Sequence, residues 1–179
     1  MFKDISQFDN IEDYLPIITA ILIVEIITII ISFTNITQTL TNSKQSSFLK
    51  VWYKEYKLYA VLADVSLIFL GFVITRALYY NVFDEFTIVN FILLMVIIQV
   101  IHDTLFYLII TSIPKGVNKI IDILKDYADE ISYWAIIGDS MMMISSALIA
   151  AYIAYFDMNT NIIIFAFLVY ILQFILYTY

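Results

Sequence analysis

The chain has no cysteine and only one histidine among its 179 residues. Without thiols there are no disulfides, no thiolate metal sites and no cysteine nucleophile. A lone histidine, His102, excludes a histidine-rich metal site or a bis-histidine haem within one chain. Neither a cofactor nor a metal is therefore expected. Charge is also scarce. Asp, Glu, Lys and Arg supply 14% of the residues, where about 25% is usual for a soluble domain. Basic residues are the rarer sign, nine against sixteen acidic, for a net charge of −7. That balance argues against nucleic acid as a partner.

What is present is apolar. Hydrophobic residues make up 63% of the chain and the mean hydropathy is +0.92, against about 45–50% apolar residues in soluble domains. One soluble core cannot hide that much surface. Disorder is excluded as well, because disordered chains are poor in the Ile, Phe and Tyr that abound here. The composition points to an all-α polytopic membrane protein, with the lipid bilayer as its first partner.

Five runs are long enough to cross a bilayer, which takes about 20 helical residues. They fall at about 15–33, 58–80, 87–113, 131–156 and 160–177, all within one membrane domain covering 1–179. In lipid such runs must satisfy their own backbone hydrogen bonds, so they are helices despite their many β-branched residues. The short alternating segments of a barrel do not occur. Nor is the first run a cleavable signal peptide, since Asp4, Asp9, Glu12 and Asp13 make its leading flank acidic.

Lysines predict the orientation. Lys44, Lys50, Lys54 and Lys57 lie between spans one and two, and Lys115, Lys119 and Lys125 between spans three and four. The other two connections carry no Lys or Arg. The positive-inside rule then makes the lysine loops and the C-terminus cytoplasmic and the N-terminus outside or lumenal. Trp52, Tyr53, Tyr56, Tyr133 and Trp134 read as anchors at the inner interface, and Tyr79, Tyr80, Tyr152 and Tyr155 at the outer one. The polar stretch Asn35–Ser47 reads as a linker, with an unused Asn-Ile-Thr sequon at Asn35–Thr37. Pro114 and Gly116 end span three. Beyond them Val117, Ile120, Ile121, Leu124 and Ala128 recur at helical spacing opposite Asn118, Lys119, Asp122, Lys125 and Asp129. This pattern predicts an amphipathic helix in the inner interface, or one packed on the bundle.

The chemistry lies in the acids inside the spans. A charge at mid-membrane costs at least about 2.5–3.5 kcal/mol on insertion scales. Glu25, Asp64, Asp103 and Asp139 each occupy a different span. At about 1.5 Å per residue they sit roughly 9–15 Å from the inner ends, a shared depth that suggests one site. Each has polar or small residues on its helix face: Thr28 and Ser32, then Gly71 and Thr75, then Gln99, Tyr107 and Thr111, then Gly138 and Ser146. Span five adds a stripe of Tyr170, Gln173 and Tyr177. Gly71, Gly138, Ser145, Ser146 and Ala150 allow helices to approach closely. The available cations are His102, beside Asp103, and Arg76 near the outer end of span two. Four acids with so little compensation must be protonated, hydrated or paired with an incoming cation.

Two readings stay open. The acids are polar glue between helices, or they form a proton or cation pathway of Asp64, His102, Asp103, Asp139, Glu25 and Gln99 with Arg76 outermost. Catalysis is not expected. Asp139 lies in Ile-Ile-Gly-Asp-Ser, without the first glycine of the Gly-x-Gly-Asp pattern of intramembrane aspartyl proteases, and Asp64 follows Ala rather than Tyr. A Schiff-base lysine in the last span, a Thr-Val-Gly-Tyr-Gly filter and an internal repeat are all missing. Met141–Met143 reads as packing material.

Several strings together resemble a family of small multi-pass proteins of giant (nucleocytoplasmic large) DNA viruses. They are Trp52-Tyr-Lys-Glu-Tyr56 running to Ala63-Asp64, His102-Asp-Thr-Leu-Phe-Tyr107, Pro114-Lys-Gly-Val-Asn118, Asp122-Ile-Leu-Lys-Asp-Tyr-Ala128 and Gly138-Asp-Ser-Met-Met142. The resemblance covers about residues 52–179 and leaves out the first span with Glu25. It implies a viral or virion internal membrane and no mechanism. The expected protein is a five-span, self-associating bundle that handles protons or cations, or else a structural protein organising such a membrane.

Overall fold

The computed structural model describes residues 2–34, 45–131 and 133–178. A 3-10 turn, Ile11–Asp13, leads into α1 (Tyr14–Phe33). Then come α2 (Gln45–Tyr56), α3 (Leu58–Val82), α4 (Ile88–Ser112), α5 (Lys119–Ile131), α6 (Tyr133–Ile153) and α7 (Met158–Thr178). All regular structure among the described residues is helical. Five helices are long and apolar enough to cross a membrane: α1 with its leading turn, α3, α4, most of α6, and α7. They overlap the five predicted runs, with ends that differ by up to four residues. The starts of α4, α5 and α7 are set by side chains that satisfy free backbone N–H groups. Thr87 Oγ1 accepts from Asn90 N at 3.1 Å, Asn118 Oδ1 from Ile120 N at 2.9 Å, and Asp157 Oδ1 from Thr160 N at 3.0 Å.

The first span is the hub. α1 packs against α2, α3, α6 and α7, whereas α4 packs on α3 and α6 at the side. Ile17, Ile21 and Ile29 of α1 are fully enclosed. In lipid the gain from such burial is close packing rather than escape from water, and small residues provide it. Ser146, Ala147, Ala150 and Ala151 of α6 are all buried. On α3, Gly71 lies against Met143: an added Cβ would stand 2.6 Å from the flexible Met143 Cε, which would have to shift. The outward faces are apolar: Val89, Leu93, Ile97 and Leu105 of α4, and Ile163, Phe167 and Phe174 of α7, are exposed. Continuous apolar surface of that extent belongs in lipid.

The acidic N-terminal segment is not a loose tail. It folds over the end of the bundle where α1 begins. Lys3 N donates to Ala151 O at 3.1 Å, and Ile5 and Ser6 are buried. Asp4 accepts from Ser6 N at 2.8 Å, Ser6 Oγ at 2.6 Å and Tyr80 OH at 2.9 Å. Tyr79, read as an interface anchor, is fully buried instead, and its hydroxyl pins the α3–α4 loop by donating to Glu85 O and accepting from Thr87 N.

The other end carries the lysines. The predicted linker Asn35–Ser47 with its sequon and Lys44 falls largely outside the described residues; residues 45–47 open α2. Trp52 and Tyr53, also read as interface anchors, are buried on α2. The Tyr133 and Trp134 side chains are not among those described. The predicted amphipathic helix is α5. Gly116 (φ +91°) makes the turn before it, a conformation suited to glycine. One residue of its polar face departs from the expectation. Lys125 is buried and donates to Ile113 O at the C-terminus of α4, where free carbonyls attract a cation. Lys119 pairs with Glu55 of α2 at 3.7 Å and Lys115 with Asp126 at 2.7 Å, so α5 is tied to its neighbours.

Candidate functional site

Glu25 stands midway along α1 and is 0% exposed. Both its carboxylate oxygens are buried without a hydrogen-bond partner among the described residues. The charge of Asp64 acts on it, and its side chain lies beside Tyr53. Asp64, two turns into α3, accepts from Trp52 Nε1 and from Tyr53 OH, each at 3.1 Å. These two donors were missed because they come from another helix. Lys57, at φ +48°, breaks the chain between α2 and α3. The break folds α2 back so that residues 11 and 12 positions before Asp64 can reach it.

Asp139 of α6 is within electrostatic reach of both Asp64 and Asp103. A second polar group lies on α4. There Gln99 Nε2 donates to Asp103 one turn away, and His102 Nδ1 is 3.2 Å from Asp103 Oδ1. Ser140 of α6 donates to Gln99 Oε1 at 2.7 Å, which ties the group across to α6. Ser140 is next to Asp139, and nothing in its own helical face singled it out. His102 stacks on Phe106 and its side chain is 38% exposed, against 16% for Asp103. His102 and Asp103 are both partly open to the surface of the bundle.

The expected polar faces hold in part. Ser32, Thr75 and Ser146 are buried on the same helices as Glu25, Asp64 and Asp139. Tyr107 and Thr111 of α4 are exposed, and so are Tyr170, Gln173 and Tyr177 of α7. The last span turns Leu172 and Leu176 inward, so its polar stripe belongs to the outside of the bundle.

Arg76 is engaged elsewhere. Twelve residues beyond Asp64, it is about 18 Å farther along α3. It is 1% exposed and donates to the carbonyls of Gln7 and, at 2.8 Å, Asn10. Its guanidinium is 3.6 Å from Asp13 and 4.3 Å from the centre of the Tyr14 ring. Asp13 also faces Lys3 at 3.5 Å.

Among the described residues none of Glu25, Asp64 and Asp139 forms an ion pair with Lys or Arg. No three of the described acids and the histidine stand close enough to hold a metal ion. No family model matches the chain, and no curated protein or solved structure is recognisably similar to it.

Proposed function

We propose that this chain is a small integral membrane protein of a viral or virion internal membrane whose intramembrane acids take up and pass protons. The setting rests on the resemblance to giant-virus proteins. The activity rests on one observation, the enclosed Glu25 carboxylate whose neighbour Tyr53 donates to Asp64. Its neighbour Tyr53 has a single hydroxyl proton, already directed at Asp64. Glu25 can join that network only by bringing a proton of its own and donating it. From Asp64 the next acceptors are Asp139 and Asp103, and His102 provides the exit. Cation binding, the other form of the same idea, lacks a cluster of three ligands among the described residues. On this reading the lysine end is cytoplasmic, the N-terminus is outside or lumenal, the chain self-associates, and no catalytic turnover is assigned.

The test is proton flux into liposomes holding the purified full chain and a pH-sensitive dye. Wild type is expected to exceed empty liposomes. Asp103→Asn and Asp139→Asn should lose at least about tenfold in flux while the detergent melting temperature persists, and the double variant should be no worse than either, as for groups acting as a unit. Wild-type flux equal to that of empty liposomes, under every gradient and pH, would sink the proposal. A structural role would then remain. It is favoured by the Asp103–Gln99–Ser140 chain, which joins α4 to α6 as interhelical glue does. Under that role Gln99→Leu should lower the melting temperature, and the acid-to-amide changes should be nearly silent.

A further inference from the structure

A groove of about 610 Å³ runs along α7 beside the start of α3, and the exposed polar stripe Tyr170, Gln173 and Tyr177 forms part of its wall. Phe165, Ala166, Val169, Leu172 and Leu176 of α7 and Leu58 of α3 supply its apolar lining. From Phe165 to Tyr177 the groove follows twelve residues of helix, about 18 Å. One leaflet of hydrocarbon is about 15 Å deep, half of a 30 Å core. The groove therefore has the length of a single acyl chain.

Its end at Tyr177 is not apolar. The ammonium of Lys57 stands 4.2 Å from the centre of the Tyr177 ring. The Lys57 backbone has a positive φ of +48°, which a residue with a Cβ seldom adopts. Among the described residues Lys57 has no carboxylate partner. An aromatic face attracts a cation but leaves its charge uncompensated. Lys50 and Lys54 are exposed on α2 at the same end of the molecule. The nearby acid of α2, Glu55, is already paired with Lys119.

We propose that this groove binds one anionic phospholipid, its phosphate held by Lys57 and one acyl chain laid along α7. The charge selects the occupant: a basic group at the mouth of a one-leaflet groove matches an anionic headgroup. A second copy of the chain fits less well. Copies in one membrane share an orientation, so a twofold pair through this groove would set two lysine ends side by side.

The experiment is native mass spectrometry of the full chain, released from detergent after equilibration with equal amounts of phosphatidylglycerol and phosphatidylcholine of identical acyl chains. Wild type should retain phosphatidylglycerol first. Lys57→Gln should reduce that preference by about fivefold, the worth of one lysine near an anionic surface, and Lys57→Arg should keep it. Ala166→Trp, which fills the groove, should reduce retention of both lipids. Absence of a preference in wild type, or a preference undiminished in Lys57→Gln, overturns the site. So does Ala166→Cys forming disulfide-linked dimers as its main species in membranes, because a second copy would then occupy the groove.

Discussion

Replacing Arg76 with Met keeps the long apolar stem and removes the guanidinium, and this tests the N-terminal cap most directly. The arginine loses its hydrogen bonds to the carbonyls of Gln7 and Asn10, its ion pair with Asp13 and its contact with Tyr14. Each charge-assisted hydrogen bond contributes about 1.5–3 kcal/mol net, and the ring contact about 0.5–2 kcal/mol. These do not simply add, because they share one desolvation. Breaking a buried pair from one side costs about 3–5 kcal/mol as a whole. Asp13, with its side chain 0% exposed, still has Lys3 at 3.5 Å, and that lysine is 37% exposed. Asn10 Nδ2 also still donates to Asp13, at 2.9 Å, and these remaining partners favour the lower end of the range, about 3 kcal/mol. Asp13→Asn in the Arg76→Met background removes the stranded charge and should recover about 1–2 kcal/mol, since residues in contact couple. The assay is thermal melting in detergent, with limited proteolysis of the N-terminal segment on the same samples. Arg76→Met should melt lower and release the segment. Wild-type melting with the segment still protected, or a double variant worse than the single one, would refute the reasoning.

Burial pushes the Asp4 carboxyl up, but hydrogen bonds from Ser6, Tyr80 and Gln7 outweigh it and hold it below its ordinary value. A carboxyl depressed in the folded state adds stability above its unfolded pKa of about 3.9, and that stability is lost as pH falls through the lower folded value. Protection of the Lys3 amide from hydrogen exchange should therefore decline below about pH 4 in wild type and lose this pH dependence in Asp4→Asn. Gly71→Ala should be nearly neutral in melting, because Met143 Cε is the mobile end of a flexible side chain and alanine favours helix over glycine by about 1 kcal/mol. Gly71→Leu should cost about 1–3 kcal/mol by overpacking, and Met143→Ala should relieve it. Single cysteines at Asn118 and Asn159, in a chain that otherwise has none, should be labelled from opposite sides of the membrane; labelling from one side would overturn the lysine-based orientation.

Glu25, Asp64, Asp103 and Asp139 were legible as a set because an acid in an apolar run is conspicuous and helical rise converts sequence position into depth. Which acids neighbour which was not legible. Depth says nothing about rotation, and the last span shows the difference: its Tyr170–Gln173–Tyr177 stripe is as regular as any, yet it lies outside. Trp52 and Tyr53 escaped notice as partners of Asp64 because a backbone break at Lys57 separates them from it, and helical periodicity carries no phase across a break. The cap was hidden for a related reason. Its carboxylates and Arg76 are more than sixty residues apart in the chain, and residue type alone reads an acidic flank as solvated.

The number of spans, their helical state and their approximate ends were determined by the sequence itself, because lipid leaves a long apolar run no other way to satisfy its backbone. The lysine asymmetry between the loops is likewise a property of the sequence. Tertiary structure decided the rest: that α1 is the hub, that Tyr53 stands between Glu25 and Asp64, that Gln99 and Ser140 bridge α4 to α6, and that the N-terminal segment closes one end over Arg76. Those outcomes depend on how each helix is rotated, which close packing of small and large side chains sets. In an apolar solvent hydrophobicity does not distinguish one face of such a helix from another.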